Sequence, residues 1–334
     1  MDRRELFLKR GVDINVFNYE LPDTFFFRNI TNLKLINILY GLKQILALKK
    51  FLRGKNSNVL HIHTSRKAIF FKDVLLAQAV RSVFKGKILM TIHVGDINTV
   101  FHNDRTRDFL INLINKNIDK VIFLSERMKN QFIDAGLSPQ KSCVLYNFYN
   151  IHPIGPEKKN SNEIVRLLFL GSINREKGVI ELLNAIKELN GCHLDLCGTV
   201  IEESIRPEFE TLLSNLGDKV TYHGYVNKEQ KENLLRQTDI LVLPSYREGL
   251  PISILEAMAT SCGIISTPVG AIPEILNDEN SILVQPRNVV QLKDAIERLI
   301  NNPKMLNAMK EKNYTNSALF TQQAHIEALC NLYK

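Results

Sequence analysis

Long apolar runs and paired cysteines are both missing from this sequence. No run of apolar residues reaches the roughly 18 that are needed to cross a bilayer, and the first residues lack the apolar core of a secretion signal. The 334-residue chain has 5 cysteines, and no two of them form a Cys-x-x-Cys pair. These absences argue against a membrane span, a disulfide frame and a zinc site, and they predict a cytoplasmic protein with reduced thiols.

Acidic residues are scarce in the first half of the chain. Residues 1–150 contain 24 Lys and Arg against 12 Asp and Glu, whereas the remainder contains 19 against 23. A basic half favours an anionic partner, such as nucleic acid, an acidic membrane surface or a phosphate-bearing substrate. Because no nucleic-acid-binding motif accompanies the charge, we expect no nucleic acid and favour an anionic membrane surface or a lipid-phosphate acceptor. An ordinary basic surface without a partner is the alternative.

Apolar runs alternate with helical patterns along the chain, which is typical of parallel βα units. The predicted strands are 12–17, 59–63, 88–93, 120–124, 142–146, 165–170, 193–197, 220–223, 239–243, 263–267 and 282–284. The predicted helices are 33–52, 72–83, 104–116, 126–135, 179–189, 206–215, 228–237, 252–260, 273–276 and 289–300. The alternation and the length predict an α/β protein with two Rossmann-like domains facing each other across a cleft, a favoured place for a ligand.

A polar segment rich in Pro, Lys, Asn and Ser separates the two series of elements. We therefore expect an N-terminal, acceptor-side domain over residues 1–152, a linker over 153–163 and a second domain over 164–315. A C-terminal helix within 316–334 is expected to pack back on the first domain. The predicted helix at 33–52 has a wide apolar face and a basic polar face, so it covers the sheet, lies on a membrane surface, or does both.

Two acids at a strand–turn–helix junction are the most informative feature of the chain. Glu248 lies in a turn after the predicted strand 239–243, and Glu256 lies in the next helix, with seven residues between them. The carboxyl ends of strands in open α/β sheets bind ligands, and the free N–H groups near residues 249–253 favour an anion. Pro251 fits the first helical turn because it has no N–H to leave unpaired. Two acids beside an anion cradle suit a nucleotide-sugar; the alternative is a capping acid and a surface charge.

Further segments follow the order of motifs in one known family. They are residues 90–95, 121–125, 144–147, 168–179, 222–226 and 266–276, together with the Glu248–Glu256 pair. With these motifs the chain resembles the retaining glycosyltransferases of family 4, which have the two-domain GT-B fold. The resemblance covers most of the chain and is strongest over residues 165–285.

The resemblance implies roles for individual residues. Lys177 would contact the donor diphosphate, where a fixed cation stabilises the charge on the departing group; its alternative is a solvated loop lysine. Glu256 would bind the ribose hydroxyls and Glu248 the hydroxyls of the transferred sugar. His93 would contact the donor sugar near the reacting carbon, although a lone histidine is often a structural hydrogen-bonding residue. Further donor contacts are implied for Gly171, Arg175, Tyr225, Gly249, Leu250 and Pro251.

No metal site is expected from the sequence. His61 and His63 alternate on one predicted strand and face the same side, but no third and fourth ligand accompany them. The chain also lacks an Asp-x-Asp motif for a metal-bound diphosphate. We therefore expect His61 and His63 to line the core or the cleft, and we expect neither a metal nor a cofactor other than the donor.

The chain departs from the family pattern at two places. Ser172 stands where the family often has an Arg after the glycine of the donor loop, which makes Arg175 the candidate for the same phosphates. Residues 2–17 resemble the end of the family's first helix followed by its second strand. The usual first strand and its glycine-rich loop are therefore missing from this pattern, and we expect an incomplete N-terminal domain.

The resemblance implies a transferase that moves a hexose from a UDP- or GDP-sugar to a saccharide or lipid-linked acceptor, with retention at the anomeric carbon. It further implies a place in bacterial surface polysaccharide synthesis, such as lipopolysaccharide, O-antigen or capsule, and a cytoplasmic protein that is peripheral on the inner face of the membrane. Two alternatives stay open. One is a sugar-nucleotide epimerase of similar architecture, and the other is a catalytically inactive, N-terminally truncated fragment that only binds nucleotide or membrane.

Overall fold

The computed structural model describes residues 3–13, 15, 33–53, 57–65, 67–101, 103–156 and 164–334. The chain divides into two compact units, unit 1 (Met1–Leu145 with Ile326–Lys334) and unit 2 (Tyr146–His325). Each has a parallel sheet with helices, which confirms the predicted pair of Rossmann-like α/β domains. The boundaries expected at residues 152 and 164 stay predictions, because residues 157–163 of the expected linker lie outside the described residues.

Unit 1 contains a four-stranded parallel sheet in the order β1-β2-β3-β4. Its strands are β1 (Val59–Thr64), β2 (Lys87–Ile92), β3 (Lys120–Phe123) and β4 (Ser142–Val144). Its helices are α1 (Arg3–Leu8), α2 (Leu33–Arg53), α3 (Lys67–Arg81), α4 (Asp104–Asn117) and α5 (Glu126–Asp134). Residues 88–92 of β2 are buried without alternation, as expected of a parallel strand that is covered on both faces.

The predicted strand at 12–17 is not supported. Residues 12, 13 and 15 are not in a strand, and residues 14, 16 and 17 lie outside the described residues. Instead, Val12 packs beside the small core cluster that contains Phe7 of α1. The strands predicted from residue 59 onward are present, with ends shifted by at most two residues.

Unit 2 contains a six-stranded parallel sheet in the order β10-β9-β8-β5-β6-β7. Its strands are β5 (Val165–Leu170), β6 (Cys192–Cys197), β7 (Val220–Gly224), β8 (Ile240–Leu243), β9 (Gly263–Ser266) and β10 (Ile282–Leu283). β5 pairs with both β6 and β8, so the order of winding reverses between β5 and β8. Open α/β sheets bind ligands at the carboxyl ends of the strands next to such a reversal.

Eight helices of the described chain follow β5. They are α6 (Val179–Lys187), α7 (Arg206–Leu216), α8 (Lys228–Gln237), α9 (Ile252–Ala259), α10 (Ile272–Ile275), α11 (Val289–Ile300), α12 (Pro303–Ser317) and α13 (Gln322–Tyr333). The sequence analysis did not predict α12. Its buried face carries Lys310, Asn313 and Ser317 beside Leu306 and Met309, so the apolar period that marks a surface helix is interrupted.

The boundary between the two units falls within helix α13, whose residues up to His325 belong to unit 2 and whose residues from Ile326 belong to unit 1. His325 Nδ1 lies 2.8 Å from the carbonyl oxygen of Tyr146, within unit 2. Beyond it, the helix contributes to a core cluster of unit 1, which consists of Phe7, Leu89, Ile122, Ile326, Leu329 and Cys330. An exposed ion pair of 3.3 Å between Arg10 and Glu327 adds to this contact.

Helix α2 packs against α3 and the main core cluster of unit 1 with one face. Leu48 and Leu52 are buried in the main core cluster, which supports the first of the two roles considered for this helix. Its exposed face carries Lys43, Leu46 and Lys50. Within the described part of the chain, no helix is long and apolar enough to cross a membrane.

The buried Asn313 gives a test of the packing of α12. Its Nδ2 donates to the carbonyl oxygens of Cys262 and Asn280, 2.9 Å away in each case, and its side chain is fully buried. We expect Asn313→Leu to lower the free energy of unfolding by about 2–3 kcal/mol, because buried carbonyl groups lose their donor. Denaturant unfolding measures the loss. Thr315→Ala, at an exposed position of the same helix, is the control and should change stability by less than about 0.5 kcal/mol. Equal stability of the two variants would contradict the prediction.

Candidate active site

Two loops of unit 2 meet where the strand order reverses: residues 171–178 after β5 and residues 244–251 after β8. Gly178 has a φ of 69° and approaches the second loop so closely that a Cβ atom on it would lie 2.2 Å from the carbonyl oxygen of Pro244. The backbone N–H of Tyr246 donates to the carbonyl oxygen of Glu176 at 2.7 Å. The two loops are therefore packed backbone to backbone at the edge where doubly wound sheets bind ligands.

Lys177 and Glu248 form an ion pair between these loops. Lys177 Nζ lies 2.6 Å from Glu248 Oε1, and the hydroxyl of Ser245 donates to the same oxygen at 2.7 Å. The side chains are 24% and 9% exposed, respectively. The sequence analysis singled out both residues but not their contact. The pair supplies a cation for an anionic group and a carboxylate for hydroxyl groups at one place.

The backbone of the Glu248 turn is fixed from two sides. Asn147 Nδ2 donates to the carbonyl oxygen of Leu250 at 2.8 Å. The backbone N–H of Ala271 donates to the carbonyl oxygen of Gly249 at 2.9 Å. These bonds hold a turn whose own hydrogen-bonding groups would otherwise face solvent, so the Glu248 carboxylate has a defined place.

Glu256 lies on α9 and is 4% exposed. Lys231 of α8 is its counter-charge, with Nζ 2.5 Å from Glu256 Oε1. Burial raises the pKa of the Glu256 carboxyl, and the bond from Lys231 acts in the opposite direction. The sequence analysis missed Lys231. The available signal was its position four residues before Leu235, the buried residue of α8, which places both on one helix face.

The expectation that Pro251 lies in the first turn of α9 is wrong by one position. The helix begins at Ile252, and Pro251 is its N-cap residue with a ψ of 124°. The carbonyl oxygen of Pro251 accepts from the N–H of Ile254 at 3.2 Å. A proline φ near −65° is compatible with both positions, so the ring alone does not distinguish them.

The remaining donor-site candidates of unit 2 lie around the same edge. Gly171 directly follows β5, and Tyr225 directly follows β7 with 79% of its surface exposed. The guanidinium of Arg175 donates to Glu208 Oε2 on α7 at 2.9 Å, so a ligand phosphate would compete with that carboxylate. The donor contacts implied for these residues stay predictions.

In unit 1, His93 directly follows β2. Its Nε2 lies 2.9 Å from Nδ1 of His63, which lies on the neighbouring strand β1. The rings of His61 and His63 have centroids 4.4 Å apart, which confirms that they face the same side. His61 Nδ1 lies 2.8 Å from the hydroxyl of Tyr333. This row of polar rings stands at the carboxyl end of the sheet, and the sugar contact implied for His93 stays a prediction.

The part of the chain that the structure describes contains neither a metal cluster nor a disulfide. Within the described ranges, no group of three or more His, Cys, Asp or Glu side chains is placed to hold a metal ion. All five cysteines have free thiols. Burial raises the pKa of the Cys262 thiol to about 12, which keeps this group protonated and unreactive at neutral pH.

Two protein-family models match the chain. The model described as Glycosyltransferase Family 4 matches residues 5–152, and that described as Glycosyl transferases group 1 matches residues 154–316. The chain belongs to the GT4-type glycosyltransferases of the GT-B fold. The second match contains the β5 and β8 loops, the Lys177–Glu248 pair and Glu256, so the candidate site lies within it.

The chain is also similar to individual relatives and to a solved structure. An uncharacterized 41.2 kDa protein in the cps region of Klebsiella pneumoniae is 26% identical over 272 residues, which is 78% of this chain and 72% of that protein. A putative teichuronic acid biosynthesis glycosyltransferase, TuaC of Bacillus subtilis, is 31% identical over 226 residues, or 63% of this chain and 54% of that protein. The structure of Anabaena HepE in complex with UDP is similar in fold, with a TM-score of 0.75, 16% identity and coverage of 98% of this chain and 88% of that chain.

Gly270 gives a test of how the Glu248 turn is positioned. Its φ is 58°, and a Cβ atom on it would lie 2.1 Å from the carbonyl oxygen of Glu248. Gly217 has a similar φ of 52°, but nothing lies within 4 Å of its Cβ position. With a ψ of −128°, Gly217 lies in a region that side-chain-bearing residues rarely adopt, so we expect Gly217→Ala to cost about 1–3 kcal/mol from the backbone alone.

We expect Gly270→Ala to cost more than Gly217→Ala and to lower glycosyltransferase activity, because the added methyl group displaces the Glu248 turn. Denaturant unfolding and turnover of the two purified variants measure the difference. Equal losses in both variants, or wild-type turnover in Gly270→Ala, would show that the turn tolerates the displacement.

Proposed function

We propose that this chain transfers a hexose from a nucleoside diphosphate sugar to a saccharide or lipid-linked acceptor, with retention at the anomeric carbon. The observation that carries the proposal is the Lys177–Glu248 pair at the strand-order reversal of unit 2, with Glu256 on the helix that follows. The donor needs neither a metal nor a second cofactor in this proposal.

Lys177 is the residue for the diphosphate. As the bond between the sugar and the phosphate oxygen breaks, negative charge grows on the departing nucleoside diphosphate, and a fixed ammonium lowers the barrier. In the structure the Lys177 ammonium bonds to Glu248. The donor phosphate takes over part of this contact, and the start of α9 after Pro251 adds backbone N–H groups that favour an anion.

Glu248 and Glu256 are the residues for hydroxyl groups. Glu248 is mostly buried and already accepts two hydrogen bonds, so it is oriented to accept further bonds from the transferred sugar. Glu256 lies on α9, eight residues after Glu248 in the sequence. In this proposal it binds the ribose hydroxyls, as the acid of a dinucleotide site does. Gly171, Arg175, Tyr225, Gly249 and Leu250 complete the donor contacts in this proposal.

The reaction proceeds by attack on the face from which the phosphate leaves. The bond between the anomeric carbon and the phosphate oxygen breaks to an oxocarbenium-like state, and the acceptor oxygen bonds to the same face. The proton of the acceptor hydroxyl moves to an oxygen of the departing phosphate. The enzyme's part is to hold the reactants and to stabilise the charges.

We infer an acceptor in bacterial surface polysaccharide synthesis. The Klebsiella relative is described as lying in a cps region and the Bacillus relative as a putative teichuronic acid biosynthesis glycosyltransferase, and both descriptions support this class of acceptor. The excess of basic residues over 1–150 and the exposed Lys43, Leu46 and Lys50 of α2 suit a lipid-linked acceptor at the inner membrane face. Anabaena HepE was crystallised with UDP, and a UDP-sugar is therefore the first donor to test.

A donor screen with a lysine variant tests the proposal. The purified protein is incubated with UDP-, GDP- and ADP-sugars and a mixture of saccharide acceptors, and release of the nucleoside diphosphate is followed. We expect release with one donor class, and a drop of about 10²–10³-fold in kcat for Lys177→Met, because the departing charge loses its cation. Lys187→Met, at the exposed end of α6, is the matched control.

Three results would contradict this assignment. Release from no donor would refute transferase activity, and wild-type turnover in Lys177→Met would refute the role of that lysine. A changed nucleotide-sugar in the absence of an acceptor, seen by proton NMR, would identify an epimerase instead.

The proposed roles of Glu248 and Glu256 can be distinguished by measuring nucleotide binding and sugar transfer separately. We expect Glu256→Gln to weaken binding of the free nucleoside diphosphate by about tenfold or more, since bonds to a charged group are worth roughly 1.5–3 kcal/mol. Glu248→Gln is expected to leave that binding within a few fold while lowering kcat/KM for the sugar donor. Calorimetry and steady-state kinetics give the two readouts. The reverse pattern would exchange the roles of the two residues.

A further inference from the structure

The environment of Glu256 is unusual for a carboxylate that has to accept hydrogen bonds. Only 4% of the residue is exposed, and its neighbours Leu255 and Ala257 on α9 are buried as well. An ionised carboxylate in such surroundings is costly unless a counter-charge lies against it. Without one, the group takes up a proton and loses part of its capacity to accept from hydroxyl groups.

Lys231 supplies that counter-charge from a separate helix. Its Nζ lies 2.5 Å from Glu256 Oε1, and the two side chains are 25% and 5% exposed. The start of α8 is fixed directly before it, because Asn227 and Gln230 form a reciprocal capping box. The ammonium is therefore delivered by an ordered first helical turn and not by a free loop.

The other charged groups near Glu256 act only at longer range. Lys228 and Glu232, both on α8, influence the carboxyl in opposite directions and pair with each other at 3.7 Å. Glu232 also lies 3.7 Å from His152 Nδ1. Of the residues that the structure describes, Lys231 is the one whose side chain bonds to Glu256, and this bond involves Oε1 alone. Oε2 remains for a ligand.

We propose that Lys231 is a positioning residue that holds the Glu256 carboxylate ionised, with Oε2 directed at a vicinal diol, and that it thereby makes the site select ribonucleotides over 2′-deoxyribonucleotides. The inference rests on the proposed function, since it takes Glu256 as the ribose-binding acid. A charged acceptor held at one oxygen accepts from two neighbouring hydroxyls, whereas a sugar with one hydroxyl leaves part of the buried charge unsatisfied.

The test compares ribonucleoside and 2′-deoxyribonucleoside diphosphates by calorimetry over mildly acidic to mildly alkaline pH. The probes are UDP, GDP and ADP with their 2′-deoxy counterparts, and the full chain is used throughout. The variants are Lys231→Met, which keeps the length without the charge, and Lys231→Arg, which keeps the charge. Lys228→Met is the matched control, because Lys228 lies one turn earlier on α8, is 61% exposed and pairs with Glu232.

For the wild type and Lys228→Met we expect the ribonucleotide to bind about tenfold or more tightly than its deoxy form, with little change around neutral pH. In Lys231→Met the pKa of Glu256 rises because its cation is gone. The protonated fraction then grows as pH falls, so ribonucleotide affinity decreases toward acidic pH and the ribo-to-deoxy ratio falls toward one. Lys231→Arg should restore both the ratio and the pH profile.

The outcomes distinguish failure of the proposed function from failure of the inference about Lys231. If the wild type binds no nucleotide, both the proposed function and the inference are wrong. If it binds nucleotide and Lys231→Met keeps the wild-type ratio and pH profile, only the inference is overturned. Should Lys231→Met fail to fold, Lys231→Gln keeps a hydrogen-bond donor without the charge, and a wild-type profile in that variant overturns the inference equally.

Discussion

The contact between Gly178 and Pro244 sets the spacing on which the whole candidate site depends. Strands β5 and β8 are neighbours although two other strands of the sheet, β6 and β7, separate them along the chain. Their loops come together only because residue 178 has no side chain. Lys177 stands directly before this glycine and Glu248 four residues after the proline. One backbone approach thus brings together a cation and a carboxylate that lie 71 residues apart in sequence.

Each of the two acids of the site has its own lysine. Lys177 bonds to Glu248 and Lys231 bonds to Glu256, and in both pairs the carboxylate is the more buried partner. Buried charges of this kind contribute little to stability, since desolvation offsets their attraction. Their arrangement is better explained by ligand binding, because a paired carboxylate keeps its charge and its direction while a neighbouring oxygen stays available for hydroxyl groups. The first lysine can also be drawn toward an anionic ligand, whereas the second is held by its helix.

Local pattern was sufficient for the parts of the fold that are periodic and apolar. The buried strands of both sheets, and the placement of Glu248 in a turn and of Glu256 in the following helix, were predictable because strand, turn and helix signals are short-range. The contact between Lys231 and Glu256 was not predictable, because the two residues lie 25 positions apart on different helices. Helical register with Leu235 indicates only the face of α8 on which Lys231 lies. Helix α12 was missed because polar residues such as Asn313 occupy its buried face. The one-residue error at Pro251 arose because proline suits both positions.

The placement of α13 bears on the order in which the chain acquires its structure during synthesis. Unit 1 draws Ile326, Leu329 and Cys330 into a core cluster with Phe7 and Leu89, yet these partners are separated by the entire length of unit 2. Domains generally fold as they emerge from the ribosome, beginning at the amino terminus. In this chain the ribosome completes unit 2 at His325, before it has made the last residues of unit 1, Ile326–Lys334. Unit 1 therefore cannot complete its smaller core cluster until residues beyond 325 have been synthesised. Until then, the apolar side chains that α13 covers are exposed.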